Sequence, residues 1–391
     1  MAQPPGQRAR ILNTFFAAEH GFEPENYNVG IILYKRRNGQ NVVERIVVKH
    51  AEAPADTGEY YDRNSEISDE EKVLRRLWGA EHVIRLLAVV DNRHHQSRKW
   101  DEPLSRPFHY LSSILPWKLR DEQAIYPRAA RFHFIVMEYL SRGDGNALIH
   151  RCQAMGVMEI SEPLLWYFFL CLTRACVAMA WPPNHGSRNP PPVVREEIPN
   201  PMQGASRIVH GDLHLGNIMF GEYDAVDDIQ PACHQGVPVL KMIDFGLAWD
   251  EWTPKDAQQD NIRYVGECIH QIALVGVDAL VHDDRYRPAF LVDDIPSLGD
   301  FETYLEEDFY RSERFSKPFR QLLAWCMAVE QGRRPSVRRA LRICEHNVRR
   351  APNWRHLADE ISEIYDMVPM DTDDGSDSEY EPASSNSGDS G

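Results

Sequence analysis

None of the chain's seven cysteines forms a Cys-x-x-Cys pair. Neither a disulfide framework nor a paired zinc site is therefore indicated, and a reducing compartment, cytoplasmic or nuclear, is expected. No apolar stretch opens the chain. Met1 to Arg10 is polar with Pro and Gly, unlike a secretory signal. The longest apolar run, Leu164 to Trp181, is interrupted by Arg174. It reads as a buried helix rather than a membrane span. Positive charge is in deficit, with 43 Lys and Arg against 59 Asp and Glu and a net charge of −16. The protein as a whole is thus a poor ligand for nucleic acid or an anionic membrane. No internal repeat is evident, and a monomer is expected.

The acidity is uneven. From Asp371 onward there are seven acids and no Lys or Arg, which leaves −9 for the rest of the 391 residues. That tail is Asp-, Ser-, Glu- and Gly-rich, and residues 367–391 are expected to be disordered. Ser376 and Ser378 each have an acid three residues later, although a plain solvating tail explains the composition as well. A length of 391 residues could hold two or three domains, and 43% apolar residues suffice for a sizeable core.

Chemistry concentrates in two segments. The first is Ile208-Val209-His210-Gly211-Asp212-Leu213-His214-Leu215-Gly216-Asn217, and the second is Lys241-Met242-Ile243-Asp244-Phe245-Gly246. They supply an Asp, an Asn five residues on, and a second Asp after an apolar strand. Anionic and neutral oxygens of this kind suit a hard cation such as Mg²⁺. Transfer of a phosphoryl group asks chiefly for such alignment and charge neutralisation. The residues between, Glu222 to Val237, read as a loop insertion. Its Cys233-His234 lacks a second ligand pair at zinc spacing.

Together the two segments resemble the catalytic loop and the Asp-Phe-Gly metal loop of eukaryotic-type protein kinases, and in particular the divergent kinase-like proteins of filamentous fungi. The His-Gly-Asp spelling is also similar to that of aminoglycoside and choline phosphotransferases, which share the fold. The resemblance implies an α+β, bilobal protein-kinase-like fold with a small β-rich N-lobe and a larger helical C-lobe. Residues 1–19 would be an extension, 20–140 the N-lobe with an insertion at 91–131, and 141–366 the C-lobe. It implies ATP and Mg²⁺ as cofactors. Asp212 would be the catalytic carboxylate that takes the acceptor's proton, with His214 beside it. Asn217 and Asp244 would be the metal ligands, Phe245 a packing residue under the loop, and His210 a packing and hydrogen-bonding residue.

Elsewhere, Ile31 to Tyr34 and Val42 to Val48 are β-rich runs flanking Asn38-Gly39, a hairpin signal. By resemblance, Lys49 at the end of the second run would reach the α- and β-phosphates. Ser65 to Trp78 reads as a helix with a capping box from Ser68 to Glu71, and Leu74, Leu77 and Trp78 recur at helical spacing. Glu71 is the acid expected to pair with Lys49, with Glu66 and Glu70 as competitors. Val83 to Val90 and Phe132 to Met137 read as strands. Asp91 to Arg131 between them is long and polar, with a short helix near Leu111. Met137, Glu138 and Leu140 resemble the adenine-binding hinge, with Asp144 near the ribose. Pro182 to Ala205 reads as an insertion loop. By the same resemblance, Asp260 would brace the catalytic loop. Helical patterns run from Phe319 to Glu330, and Gln331 to Ser336 closes one helix and opens the next.

Three departures from the family pattern bear on activity. Where a kinase has Gly-x-Gly-x-x-Gly over the phosphates, only Gly30 fits, with Glu25 and Tyr27 at the first two positions. His214 stands where protein kinases carry a Lys, and Gly211 where they carry an Arg. The stretch from Asp244 to Asp260 is short and has no Ala-Pro-Glu, so activation by loop phosphorylation is not expected. The leading expectation is an ATP- and Mg²⁺-dependent kinase acting on Ser/Thr hydroxyls. The alternatives are a small-molecule kinase of the aminoglycoside or choline type and an inactive pseudokinase that binds partners. The identity of a protein substrate or partner cannot be read from the residues.

Overall fold

In a computed structural model of the chain, the described residues are 9–10, 12–13, 16–17, 21–28, 30–50, 63–90, 133–184, 191–199, 204–223, 237–275, 289–295, 297–350 and 354–366. The expected helix near Leu111, Cys233-His234 and the acidic tail lie outside them. So do the whole of the insertion at 91–131 and most of that at 222–237.

The protein is α+β. Its N-terminal part is a five-stranded antiparallel sheet of β1 (Phe22–Asn28), β2 (Ile31–Asn38), β3 (Asn41–His50), β4 (Leu86–Val90) and β5 (Phe134–Glu138), in the order β1-β2-β3-β5-β4. The Asn38-Gly39 signal holds. Asn38 pairs with Asn41, and Gly39 takes a φ of +61°, which a glycine adopts without steric cost. Strand alternation sorts the two faces of β3. Ile46 and Val48 are buried with Leu12, Phe16 and Tyr34 on one side. Val47, on the other face, packs against the larger core, and Lys49, two residues on, projects to that same side.

Helix α1 (Arg63–Arg76) crosses that face. The helix begins two residues before the expected Ser65. Ser68 is consequently interior and buried, and the expected capping box does not form. The strand expected over Val83 to Val90 is restricted to Leu86–Val90, because residues 80–84 bond to other segments instead.

The rest of the chain is mainly helical. After α2 (Gly145–Ala154), α3 (Glu162–Ala180) is buried around almost its whole circumference, packed by α4 (Pro254–Ala273) and α7 (Val337–Val348). This helix is long and apolar enough to span a membrane, but 89% of its apolar window is buried inside the protein. Arg174 within it is compensated by Glu345 on α7, 3.6 Å away. Two short ladders lie beside α3 and carry the motif segments. β6 (Ile208–Val209) pairs with β9 (Trp249–Asp250), and β7 (Ile218–Tyr223) pairs with β8 (Pro238–Met242). A hairpin of β10 (Phe290–Val292) and β11 (Phe301–Thr303) follows, then α5 (Glu307–Arg311), α6 (Lys317–Cys326), α7 and α8 (Trp354–Asp366). Helix α6 ends at Cys326, short of the expected Glu330, and Gln331–Arg333 forms a separate 3-10 turn; α7 then opens after Ser336 as expected, with the Ser336 hydroxyl accepting the Arg339 N–H. The six cysteines among the described residues are buried free thiols.

Candidate active site

The register of the β7–β8 hairpin decides the geometry. Ile218 faces Met242, so the residues just beyond the ladder, Asn217 and Ile243, also meet, and the Ile243 N–H donates to the Asn217 carbonyl at 3.0 Å. The Asn217 and Asp244 side chains thereby emerge from neighbouring backbone. On the other side, the Asn217 amide nitrogen donates to the Asp212 carbonyl at 2.7 Å and lies 3.3 Å from Asp212 Oδ2. With its nitrogen engaged there, Oδ1 is the side chain's remaining acceptor.

Asp244 has a φ of 61°, the one positive value outside glycine among the described residues. Asp tolerates this region better than most side chains, yet it carries a cost of about 1–3 kcal/mol that the surroundings must hold in place. The hold is visible. Asp244 Oδ1 lies 2.7 Å from Lys49 Nζ and 3.4 Å from the Gly246 N–H. Burial pushes the Asp244 carboxyl upward, but Lys49 beside it brings it below the ordinary range.

Lys49 spans two partners, since Glu70 Oε2 is also 2.7 Å away. The Glu70 side chain is 1% exposed and that of Lys49 20%. Burial works against the Lys49 charge, yet the two carboxylates outweigh it and raise its pKa. This corrects the expectation that Glu71 pairs with Lys49. Adjacent helix residues point about 100° apart, so only one can reach the sheet at that level. Glu71 turns to His133 Nε2 at 2.9 Å and Arg75 at 2.6 Å. Residues at this spacing offered no sequence signal to separate the two acids.

The loop bearing Asp212 is braced from behind. Asn261 Oδ1 accepts the His210 N–H at 3.0 Å, and its amide donates to the Ile208 carbonyl at 2.9 Å. Asp260, expected in that role, is turned away to Arg334 (2.8 Å) and Gln331 (2.9 Å). His210 is fully buried and neutral, its pKa pushed down to about 4 by burial. Its Nε2 donates to the Ile243 carbonyl at 2.9 Å, its Nδ1 accepts the Asp212 N–H, and its ring lies 4.6 Å from that of Phe245. It thus ties one motif segment to the other, as a packing residue. Gly211 takes a φ of +85°, and a Cβ there would overlap the Leu247 carbonyl and approach Trp249 to 2.6 Å. No side chain fits, which accounts for the missing Arg.

His214 Nδ1 accepts the Gly216 N–H at 3.1 Å, and its Nε2 is 3.7 Å from Asp212 Oδ2 and 3.1 Å from the Asn217 amide nitrogen. The half-exposed Asp212 and His214 side chains therefore lie side by side at the surface. Gly30 turns with φ +73° at the end of the β1–β2 hairpin, and a Cβ there would sit 2.9 Å from the His50 carbonyl. Glu25 is drawn off into a sheet-surface pair with Arg45 at 2.7 Å. Met137 and Leu140 are buried. The Glu138 N–H is taken by the Arg85 carbonyl, and its carboxylate by Lys241 and the Arg85 N–H. Asp144 caps α2 through the Ala147 N–H at 2.8 Å.

The donor set fits a hard cation. It offers the Asn217 carbonyl oxygen, the Asp244 carboxylate and, close by, the Asp212 carboxylate, with the Lys49 ammonium at the same edge for anionic oxygens. A second cluster, Glu81, His82 and Glu196, brings three ligand atoms within 4.8 Å. There both Glu196 oxygens are already committed to His82, to its N–H at 2.8 Å and its Nδ1 at 2.6 Å. No protein-family model matches this chain, and a search of the curated proteins returns no match.

Proposed function

We propose that the chain is an ATP- and Mg²⁺-dependent phosphotransferase of the protein-kinase type, acting on Ser/Thr hydroxyls. In this reading the sheet β1–β5 with α1 is the smaller lobe of a bilobal kinase-like fold. One observation carries it. Lys49 holds Glu70 and Asp244 at 2.7 Å each, across 195 residues of sequence in the second case, while Asn217 bridges Asp244's neighbour to Asp212. Chance strand-end lysines are surface residues. This one is drawn between two acids, one of them on the loop that follows β8.

The roles follow from the groups. Lys49 neutralises phosphate oxygens and is kept aligned by Glu70. Asn217 and Asp244 would hold the divalent ion, which when bound would neutralise charge on the transferring phosphoryl group. The Asp212 carboxylate, its loop immobilised by Asn217 and Asn261, orients the acceptor hydroxyl and accepts its proton. The buried side chains of Met137 and Leu140 form the apolar wall against the base. A small hydroxylated acceptor is the second reading. The observation that favours it is the short path after Asp244, where β9 already pairs with β6 and α4 starts at Pro254. Little chain is available there to seat a peptide.

A thermal-shift titration with ATP and Mg²⁺ tests the proposal. Ligand at a hundred times its Kd adds about 2.7 kcal/mol of stability. Absence of any shift at millimolar nucleotide would favour a pure binding module. Radiolabel transfer to protein mixtures versus metabolite pools separates the two enzyme readings. Asp212→Asn is expected to abolish transfer and keep the nucleotide-induced shift. Full activity in that variant would remove Asp212 from its role.

A further inference from the structure

Residues 191–199 follow a Pro- and Asn-rich stretch and hold none of the candidate site residues, yet they are stitched to the turn that follows α1. The Val194 N–H donates to the Gly79 carbonyl at 2.8 Å, and the Glu81 N–H donates to the Val194 carbonyl at 3.2 Å, making a parallel bridge between Ala80 and Val194. Two residues on, Glu196 grips His82 twice. One oxygen accepts the His82 N–H at 2.8 Å and the other lies 2.6 Å from Nδ1, with both side chains at 0% exposure. Arg195 approaches Glu81 at 3.8 Å.

The same turn has a second engagement. The Met242 N–H donates to the His82 carbonyl at 2.9 Å, and the Ile84 N–H donates to the Met242 carbonyl at 3.0 Å. Met242 stands two residues before Asp244. On its N-terminal side the turn continues from α1, with Ala80 N–H bonded to the Leu77 carbonyl and Trp78 Nε1 to the Leu86 carbonyl at 2.8 Å. Residues 79–84 therefore touch the helix that carries Glu70, the strand that leads to Asp244, and the segment 191–196. A helix anchored at its C-terminal end cannot swing outward without breaking one of these attachments.

We propose that segment 191–196 is a built-in clamp, with Glu196 as a positioning residue that holds α1 and thereby keeps Glu70 on Lys49 without any modification of the loop after Asp244. The inference rests on the kinase-type reading for its catalytic consequence. The clamp itself is a statement about α1. Buried ion pairs are costly to break one-sidedly, because the partner is left charged or unsatisfied in a dry site. Cutting the pair is therefore expected to free the turn and then the helix above it, rather than only lower global stability.

The test uses the full chain with Glu196→Ala, Glu196→Gln and Val194→Pro. The Gln variant keeps the shape and two hydrogen-bonding atoms, and Val194→Pro removes the N–H to Gly79 while leaving the buried pair. Amide hydrogen exchange across residues 66–84 is read against that of α3, together with Kd for Mg·ATP and the kcat and KM of transfer. For Glu196→Ala we expect exchange in α1 to quicken roughly tenfold or more relative to α3, and kcat to fall at least as far, with recovery in Glu196→Gln. Val194→Pro is expected to show the same pattern more weakly, and it serves where Glu196→Ala does not fold. Unchanged α1 exchange in a cooperatively melting variant, or a loss spread evenly over α1 and α3, would overturn the clamp. If the wild-type chain fails to bind Mg·ATP, the kinase-type reading falls, and the exchange comparison alone still decides whether the segment holds α1.

Discussion

Two neighbouring acids on α1 give opposite expectations, and the contrast tests the candidate site sharply. Glu70→Gln removes a carboxylate that is 1% exposed and 2.7 Å from Lys49. At an effective dielectric near 20 the bare attraction is about 6 kcal/mol at that separation. The desolvation of a buried carboxylate, several kcal/mol, cancels most of it. Lys49 also keeps Asp244 at 2.7 Å. The net loss of stability should therefore be small, about 1–3 kcal/mol. The effect on transfer should be larger, because Lys49 loses one of the two anchors that fix it. A displacement of an ångström costs roughly a hundredfold in rate. Glu71→Gln disturbs His133 and Arg75 instead. It should lower the melting temperature by a comparable amount and leave transfer within about twofold of wild type. Melting curves with and without Mg·ATP, beside single-turnover transfer, separate the cases. Loss of transfer in Glu71→Gln with transfer intact in Glu70→Gln would refute the pairing and the site built on it.

Other expectations follow from the same contacts. Asn261→Ala leaves the His210 N–H and Ile208 carbonyl without their buried partner and should destabilise by about 2–4 kcal/mol in denaturant titrations, whereas Asp260→Asn should cost less because Asp260 is itself partly exposed and an Asn keeps an oxygen to accept from Arg334 and Gln331. Gly211→Ala, at φ +85° with the Leu247 carbonyl in the way, should lose several kcal/mol or fail to fold; wild-type stability would show that the loop yields. Although burial works against it, the Glu196 carboxylate raises the His82 pKa to about 10, so its contribution to stability is complete below about 6.5 and is lost as pH rises from there through about 10. The difference in melting temperature between wild type and Glu196→Gln should shrink across that window, and a difference that grows with pH would contradict a charged His82.

The motif segments were legible in the chain because they depend on local order. Asp212, Asn217 and Asp244 could be named from spacing, and the apolar runs beside them became strands that bring the three together. The same holds for the Asn-Gly hairpin, the long apolar helix and the helix start after Ser336. Boundaries were less legible. The helix expected to start at Ser65 starts at Arg63, and the anticipated cap at Ser68 is helix interior. A Ser-x-x-Glu pattern suits a helix start, but the same residues are tolerated inside a helix when packed, and only the contacts of α1 decide.

What the order of residues determined by itself is the inventory: an α+β chain, an Asp and an Asn on one loop, an Asp on the next, and a lysine at a strand end. Which of several adjacent side chains meet was decided by tertiary structure alone. Glu70 rather than Glu71, Asn261 rather than Asp260, and the fastening of Glu196 to His82 across 114 residues all depend on the rotation and depth of packed elements. The physical reason is that a step of one residue along a helix turns a side chain by about 100°. Composition and spacing are indifferent to that turn, while a buried charge is not.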